Sequence, residues 1–521
     1  MTSPAERYAQ SRTSRQYPHL AEFRGLYEFG LDGFQVEACK VVEEGHGVLV
    51  AAPTGSGKTL VGEFAVHLAL QTGRKCFYTT PIKALSNQKF SDLVERYGAD
   101  NVGLLTGDNT INGEAPIVVM TTEVLRNMLY AGSRTLDTLG YVVMDEVHYL
   151  ADRTRGAVWE EVIIHLAESV SVIALSATVS NAEEFGDWLT AVRGDTVTIV
   201  EERRPIPLHQ HVLVGRKMFP LFEPSADDRG VEVNKALERL AREDWQLSRM
   251  MKGHKNKGGK RPRSQHRTPS RVDVVERLDA EGLLPAIDFV FSRAGCAAAV
   301  QQCLDSRLML TTPDEQTQIA TFVDAACAHL PTEDLHVLGF YEFREGLVRG
   351  IAAHHAGMLP TFKECVEDLF SAGFVKIIFA TETLALGINM PARSVVIEKL
   401  SKWNGETHAN ITPGEYTQLT GRAGRRGIDV EGHGVVLWQP GLDPKQVAGL
   451  ASTRTYPLNS SFHPSYNMAV NLVGQVGRGV ARELLEQSFA QFQADRAVVG
   501  MARQIRKADD ALDGYRENIH C

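Results

Sequence analysis

The stretch Val48-Leu49-Val50-Ala51-Ala52-Pro53-Thr54-Gly55-Ser56-Gly57-Lys58-Thr59-Leu60-Val61-Gly62-Glu63-Phe64-Ala65-Val66 decides the architecture. Its first four residues form a short apolar strand, and residues 60–66 have helical character. The loop between them, Pro53, Thr54, Gly55, Ser56, Gly57, Lys58 and Thr59, has the composition of a phosphate cradle. Backbone N–H groups at Gly55 and Gly57 can wrap phosphate oxygens, and Lys58 reaches the β- and γ-phosphates. The Thr59 hydroxyl is placed to hold Mg²⁺. Ala52 stands where the generic pattern has Gly, so the strand–loop–helix order carries the reading.

A complementary half lies further on. The apolar run Tyr141-Val142-Val143-Met144 reads as a buried strand and ends in Asp145-Glu146-Val147-His148. Asp145 suits the metal, and Glu146 suits the attacking water. Together the two stretches predict hydrolysis of ATP.

With 521 residues, the chain is long enough for two to four domains. An apolar content of 43% and a charged content of 23% place it among ordinary globular proteins. No apolar run approaches the roughly 18 residues of a membrane span, and residues 1–15 lack the apolar core of a secretory signal. The cysteines, at positions 39, 76, 296, 303, 327, 365 and 521, never form Cys-x-x-Cys. That pattern fits a reduced cytoplasm and suggests neither a zinc site nor an iron–sulfur cluster. A net charge of −9 argues weakly against nucleic acid, but its distribution matters more. Residues 252–271 hold Lys252, Lys255, Lys257, Lys260, Arg261, Arg263, Arg267 and Arg271, with no acidic residue. The stretch reads either as a solvated insertion or as a basic arm for a phosphate backbone.

From Phe34 to about Val200, apolar runs at 48–51, 76–79, 117–120, 142–144 and 172–175 alternate with helical patterns, as a mostly parallel α/β sheet requires. A second series, at 287–291, 350–353, 375–380, 395–398 and 434–438, follows the basic stretch. Only the first has a phosphate loop, so the second is expected to close over ATP and to supply arginine. The run Gln418-Leu419-Thr420-Gly421-Arg422-Ala423-Gly424-Arg425-Arg426-Gly427 sets Arg422 and Arg425 three apart on one helical face. Planar guanidinium groups there would match charge developing on a transferring phosphoryl group. A surface patch or RNA-backbone contact is the alternative. The expected domains are 1–205, a linker or insertion at 206–284, a second α/β domain at 285–445, and a partial C-terminal region at 446–521.

Taken in order, these runs resemble the superfamily-two DExH-box helicases, in their superkiller-type branch, over about residues 23 to 500. The resemblance implies two tandem RecA-like parallel-sheet domains, followed by the start of a winged-helix and helical region. Phe34-Gln35 looks like the adenine-reading motif. Pro81-Ile82-Lys83-Ala84, Thr106-Gly107-Asp108 and Thr121-Thr122 look like strand-gripping motifs, and Ser176-Ala177-Thr178 like the motif that couples hydrolysis to unwinding. In the second half, Phe291-Ser292-Arg293, His354-His355-Ala356-Gly357 and Thr381-Glu382-Thr383 match strand-binding motifs. The segment Gly387-Ile388-Asn389-Met390-Pro391 is similar to one lying between ATP and the strand, which brings Gly387 and Asn389 to the nucleotide. The resemblance also carries catalytic roles to His148 and Gln418.

Several of these positions make sense as chemistry. Small hydroxyl residues and N–H groups just after candidate strands suit phosphate contacts without base information. The His354-His355 pair has no Cys or carboxylate at ligand spacing, so it reads as scaffold or strand contact rather than metal. Trp159-Glu160-Glu161 reads as packing behind the active site. The Asn404-Gly405 turn suggests a hairpin whose Trp403 stacks on a base or simply packs. Ser461-Phe462-His463-Pro464 and Ser488-Phe489 resemble the start of the winged-helix domain. Family members continue beyond the point where this chain stops, at Cys521, so a truncated piece is expected.

The reading that follows is an ATP- and Mg²⁺-using, cytoplasmic helicase moving 3′-to-5′ on single-stranded or 3′-tailed RNA. A nuclease partner in RNA surveillance goes with it. DNA repair is the neighbouring alternative, and a translocase without strand separation is another class. Nothing reads as an oligomerisation or membrane element, which leaves a monomer as the expectation.

Overall fold

The structure, a computed structural model, describes residues 15–153, 155–224, 231–253, 268–384, 390–403, 407–452, 455, 457–464, 466–496 and 498. The chain divides into two units. The first contains residues up to Pro53, Gly57–Arg203 and the stretch from Tyr456 onward; the second contains Thr54–Ser56 and Arg204–Thr455.

The first unit is built on an eight-stranded sheet. Its strands are β1 (Gly47–Ala51), β2 (Lys75–Thr80), β3 (Val102–Leu105), β4 (Thr110–Ile111), β5 (Ile117–Thr121), β6 (Leu139–Met144), β7 (Ser171–Ser176) and β8 (Thr196–Val200). They lie in the order β4-β3-β5-β2-β6-β7-β1-β8, all parallel except the β3–β4 pair. Both faces are covered. Leu49 and Ala51 pack on one side with Val142 and Met144, whereas Val48 and Val50 pack on the other with Val143 and Ile173. Burial on both sides is why these strands read as continuous apolar runs rather than alternating ones. β8 was not legible, because only Ile199 of its five residues is fully buried.

The second unit has a seven-stranded sheet. It contains β9 (Leu208–Val214), β10 (Lys217–Pro220), β13 (Ala286–Phe289), β14 (Ile351–His354), β15 (Ile377–Ala380), β16 (Ser394–Ile397) and β19 (Gly432–Leu437). Their order is β10-β9-β19-β16-β13-β15-β14, parallel except for the β9–β10 hairpin. Two small hairpins, β11 (Phe222–Pro224) with β12 (Val231–Val233) and β17 (Ser401–Trp403) with β18 (His408–Asn410), stand apart from it.

These strands change the reading of residues 206–284. β9 is a full strand of the second sheet, paired with β19 from Leu208↔Gly432 to Leu213↔Leu437. Its polar start, His209-Gln210-His211, hides the strand pattern. The helix Lys235–Gly253 is tied to the same unit by the Trp438 indole N–H, which donates to Asp244 at 3.0 Å. Of the basic stretch, residues 254–267 lie outside the described residues. Arg271 is no part of a free arm, since it forks onto Glu398 at 2.6 and 3.1 Å.

The region expected to begin a winged helix starts with a helix, Pro444–Ser452, that belongs to the second unit. Residues from 457 onward belong to the first unit. They include the helix Tyr466–Glu486, kinked at Gly477 where φ is +78°.

Candidate active site

The phosphate loop leaves β1 and enters the helix Thr59–Thr72. Gly55 and Gly57 have φ of +81° and +82°, a backbone region where a side chain costs strain, which explains the residue type at both. Lys58 is almost fully buried. The Gln35 side chain braces this loop: its Nε2 donates to Gly57 O at 2.9 Å, and its Oε1 accepts from Asp32 N–H at 2.8 Å. Phe34, read as a nucleotide contact, is buried in the core with Ala38 and Val50.

Asp145 and Glu146 follow β6, two strands away from β1 with β7 between, so loop and carboxylates meet at the same sheet end. Parallel sheets place ligands at the carboxyl ends of their strands for this reason. Lys58 Nζ lies 3.6 Å from Glu146 Oε1, and His148 Nδ1 lies 3.3 Å from Glu146 Oε2. Glu146 adopts φ +53°, a left-handed conformation uncommon for a side-chain-bearing residue and frequent where strain serves a site. Burial pushes the His148 imidazole down to about 4, so it is neutral at working pH. Its Nδ1 then accepts the Ala177 N–H at 3.2 Å. Ser176 O, one residue earlier, accepts from Ala52 N–H at 3.1 Å. The Ser176-Ala177-Thr178 segment thus touches both halves of the hydrolysis site.

Asp145 is buried, and its carboxyl is pushed up to about 6 by burial and the neighbouring Glu146, against the pull of Lys58 and Lys89. Each oxygen has a donor: Glu146 N–H reaches Oδ1 and the Tyr78 hydroxyl reaches Oδ2, both at 2.9 Å. Tyr78 was missed in the sequence, because an aromatic residue inside a strand reads as core. Replacing Tyr78 by Phe keeps the ring and strips a donor from a buried carboxylate. The expected result is a loss of about 1–3 kcal/mol in urea unfolding of the first unit. An unchanged midpoint would show the bond contributes nothing. The Thr59 hydroxyl and the Asp145 carboxylate are hard oxygen donors, the chemistry a magnesium ion takes.

The residues expected to grip a strand in the first unit gather beyond β2, β3 and β5. Lys83 forms an ion pair with Asp108, and Gly107 lies against it: a Cβ there would sit 3.6 Å from Lys83 Nζ. Pro81 precedes and Ala84 continues the helix Lys83–Tyr97, and Thr106 ends the β3 side of this cluster. Thr121 and Thr122 are buried, with the Thr122 hydroxyl donating to Thr80 O at 3.3 Å. The Thr122 side chain is thus spent inside the unit, at the start of the helix Thr122–Ala131.

In the second unit Arg293 and His355 come together around Gly357, where a Cβ would lie 3.4 Å from His355 Nδ1 and 3.5 Å from Arg293 Cδ. Ser292 caps its helix by accepting Gly295 N–H at 3.2 Å. Thr381 and Thr383 share a hydrogen bond of 2.9 Å. His354 does have a carboxylate partner, Glu367, at 2.8 Å, contrary to the reading from spacing. Among the described residues no group of three or more His, Cys, Asp or Glu is arranged to hold a metal. Trp403 is 58% exposed, with its ring against His408, while the hairpin tip 404–406 lies outside the described residues. Gly387 and Asn389 lie outside them as well.

Arg422 and Arg425 differ from expectation in one respect. The helix Pro413–Thr420, which carries Gln418, ends before them, so both sit on a loop and not on a helical face. That loop is pinned by Gly424 N–H to Ala392 O at 2.7 Å and by Arg204, which donates to Gly421 O at 3.1 Å and to Ala423 O. Arg425 is aimed by Asp429, which accepts Nε at 2.8 Å and Nη2 at 2.9 Å. Neither Arg204 nor Asp429 carried a sequence signal, since each acts by position alone.

A phosphate loop with a following acid pair on one parallel sheet, and an arginine loop on a second, define a two-domain nucleotide hydrolase of the helicase class. Comparison agrees: residues 32–185 match the DEAD/DEAH box helicase family, and residues 310–427 match the helicase conserved C-terminal domain. The chain belongs to the DExH-box helicases. It is 62% identical over 495 residues to "Probable helicase HelY" of Mycobacterium tuberculosis (strain ATCC 25618 / H37Rv), covering 95% of this chain and 55% of that protein. It is 38% identical over 498 residues to "Exosome RNA helicase MTR4" of Homo sapiens, covering 95% of this chain and 46% of that protein. With "DExH-box ATP-dependent RNA helicase DExH15 chloroplastic" of Arabidopsis thaliana it shares 38% over 553 residues, 95% of this chain and 46% of that one. The chain spans about half the length of these relatives.

Proposed function

We propose that this chain is the motor part of a nucleic-acid-stimulated ATPase that moves 3′-to-5′ along single-stranded or 3′-tailed RNA and separates duplexes. The observation that carries the proposal is the site around Glu146, with Lys58 at 3.6 Å, His148 at 3.3 Å and Asp145 held on both oxygens. Lys58 and the loop N–H groups bind the phosphates. Glu146 orients and deprotonates water, and Arg422 and Arg425 stabilise the charge that develops on the phosphoryl group. Mg²⁺ would be held by Thr59 and Asp145, and when bound it neutralises phosphate charge. Gln418 orders the arginine loop and the γ-phosphate end of the site in this reading.

RNA is favoured because two of the relatives, from Homo sapiens and Arabidopsis thaliana, are named RNA helicases. Lys83, Thr106, Gly107, Arg293, His355, Thr381 and Thr383 offer backbone contacts without base choice. A cytoplasmic site of action, a nuclease partner and a monomeric state complete the proposal. No helix among the described residues is long and apolar enough to cross a membrane.

The test is steady-state ATP hydrolysis without polymer, with single-stranded RNA and with single-stranded DNA, using Lys58→Ala as a control. Stimulation mainly by RNA, abolished by Lys58→Ala, is expected. Larger stimulation by DNA would move the assignment to DNA, and indifference to both polymers would remove the helicase activity from this chain.

A further inference from the structure

The run Gly156 to Glu161 takes no part in the proposed hydrolysis chemistry, yet all of it but Ala157 is buried. Glu160, on the helix Ala157–His165, is 0% exposed. A buried carboxylate persists only where donors satisfy it. Here the donors come from the C-terminal stretch: the Ser460 hydroxyl donates to Oε1, and Phe489 N–H donates to Oε2 at 2.7 Å.

The next residue reaches the catalytic turn itself. Ser461 Oγ donates to Leu150 O at 2.8 Å. Leu150 belongs to the short turn Val147–Ala151, which begins directly after Glu146 and contains His148. Gly156 makes this approach possible. A Cβ there would lie 2.0 Å from Leu150 O and 2.1 Å from Ser461 Oγ, so any side chain would drive the two apart.

The same stretch also holds the segment beyond Ser176-Ala177-Thr178. Asn181 donates to Leu458 O at 2.9 Å and accepts Leu458 N–H at 2.6 Å. The Trp188 indole N–H donates to Gln487 O at 2.8 Å, and Phe489 packs against the Phe185 and Trp188 rings. Tyr149, within the turn, stacks on Trp159 with ring centroids 6.1 Å apart.

We propose that Glu160 and Ser461 are positioning residues of the ATPase. Glu160 pins the stretch 457–464 to the first unit, and Ser461 then holds the turn 147–151 at Leu150, fixing where Glu146 and His148 stand. The C-terminal stretch is thereby a built-in control on hydrolysis, and a force that lifts it would slow turnover without loosening ATP. The inference rests on the ATPase reading of the site. Neither residue touches the phosphate loop, so the effect falls on kcat and not on KM.

The experiment uses the full chain with Ser461→Ala, which removes one hydroxyl and leaves Glu160 satisfied, and Glu160→Gln, which presents an N–H where a donor already points. For each, kcat and KM for ATP are measured together with hydrogen–deuterium exchange of peptides spanning 147–156 and 457–464. Misplacement of a catalytic group by a remote change predicts a loss of about three- to tenfold in kcat with KM unchanged for Ser461→Ala, and faster exchange at 147–156. Glu160→Gln is expected to add faster exchange at 457–464. Unchanged kcat and unchanged exchange at 147–156 in Ser461→Ala would overturn the proposal, as would an effect on KM alone. If the wild-type chain does not hydrolyse ATP, the ATPase reading fails, and exchange at 147–156 still decides whether Ser461 holds the turn. Should Glu160→Gln fail to fold, Ser461→Ala carries the test.

Discussion

Arg425→Ala is expected to lower ATP turnover by about 10³–10⁵-fold, the range for loss of an arginine that stabilises phosphoryl transfer. The geometry says why the side chain is ready for this task. Asp429 takes two of the five N–H donors of the guanidinium, at 2.8 and 2.9 Å, and so orients the plane while leaving donors for a phosphoryl oxygen. Arg425→Lys should rescue little, because an ammonium cannot pair with Asp429 on two parallel bonds and point elsewhere at once. Asp429→Ala should produce a smaller loss, since it frees Arg425 without removing it. Turnover within about tenfold of wild type in Arg425→Ala would transfer the role to Arg422. Burst and steady-state measurements at saturating ATP distinguish these outcomes.

The second large effect is expected at Glu146. Glu146→Gln keeps the shape of the side chain and its polar contacts but cannot take a proton, so hydrolysis should fall by about 10²–10⁴-fold while ATP still binds. His148, held neutral by burial and accepting the Ala177 N–H, does not supply a substitute base at this position. A variant that bound a fluorescent ATP analogue normally and hydrolysed ATP at the wild-type rate would remove Glu146 from the mechanism. Lys58 would then have to be re-examined, because its Nζ lies 3.6 Å from Glu146 Oε1.

These two residues also illustrate different kinds of legibility. The position of Glu146 was readable because its neighbours in sequence are its neighbours in space: a buried strand delivers two carboxylates to one sheet end. Arg425 was readable as a type but not as a geometry. The three-residue spacing to Arg422 suggested a helical face, whereas the helix stops at Thr420 and the arginines ride a loop. What makes that loop precise comes from far away in sequence, through Arg204 and Ala392.

The positions expected to bind a strand divide in the same way. Exposed Arg293 and half-buried His355 meet around Gly357, but the Thr122 hydroxyl is spent on Thr80 O inside the unit. A hydroxyl after a strand can face either solvent or backbone, and only packing decides which. The linker reading of 206–284 failed for a related reason. The start of β9, His209-Gln210-His211, is polar and not buried, although pairing with β19 draws the strand into the sheet.

By itself, then, the sequence determined the two parallel sheets, the phosphate loop and the acid pair, because apolar runs buried on both faces and glycines at positive φ are local demands of the chain. It also determined the membership that an ordered series of short motifs implies. Tertiary structure alone decided that Tyr78 holds Asp145, that Asp429 aims Arg425, and that Ser460, Ser461 and Phe489 fasten the C-terminal stretch to Glu160 and Leu150. Apart from the Arg425–Asp429 pair, which is four residues apart, each of those is a contact between residues far apart in the chain. Their energy depends on burial and on an angle between groups, and neither quantity exists until the chain has folded.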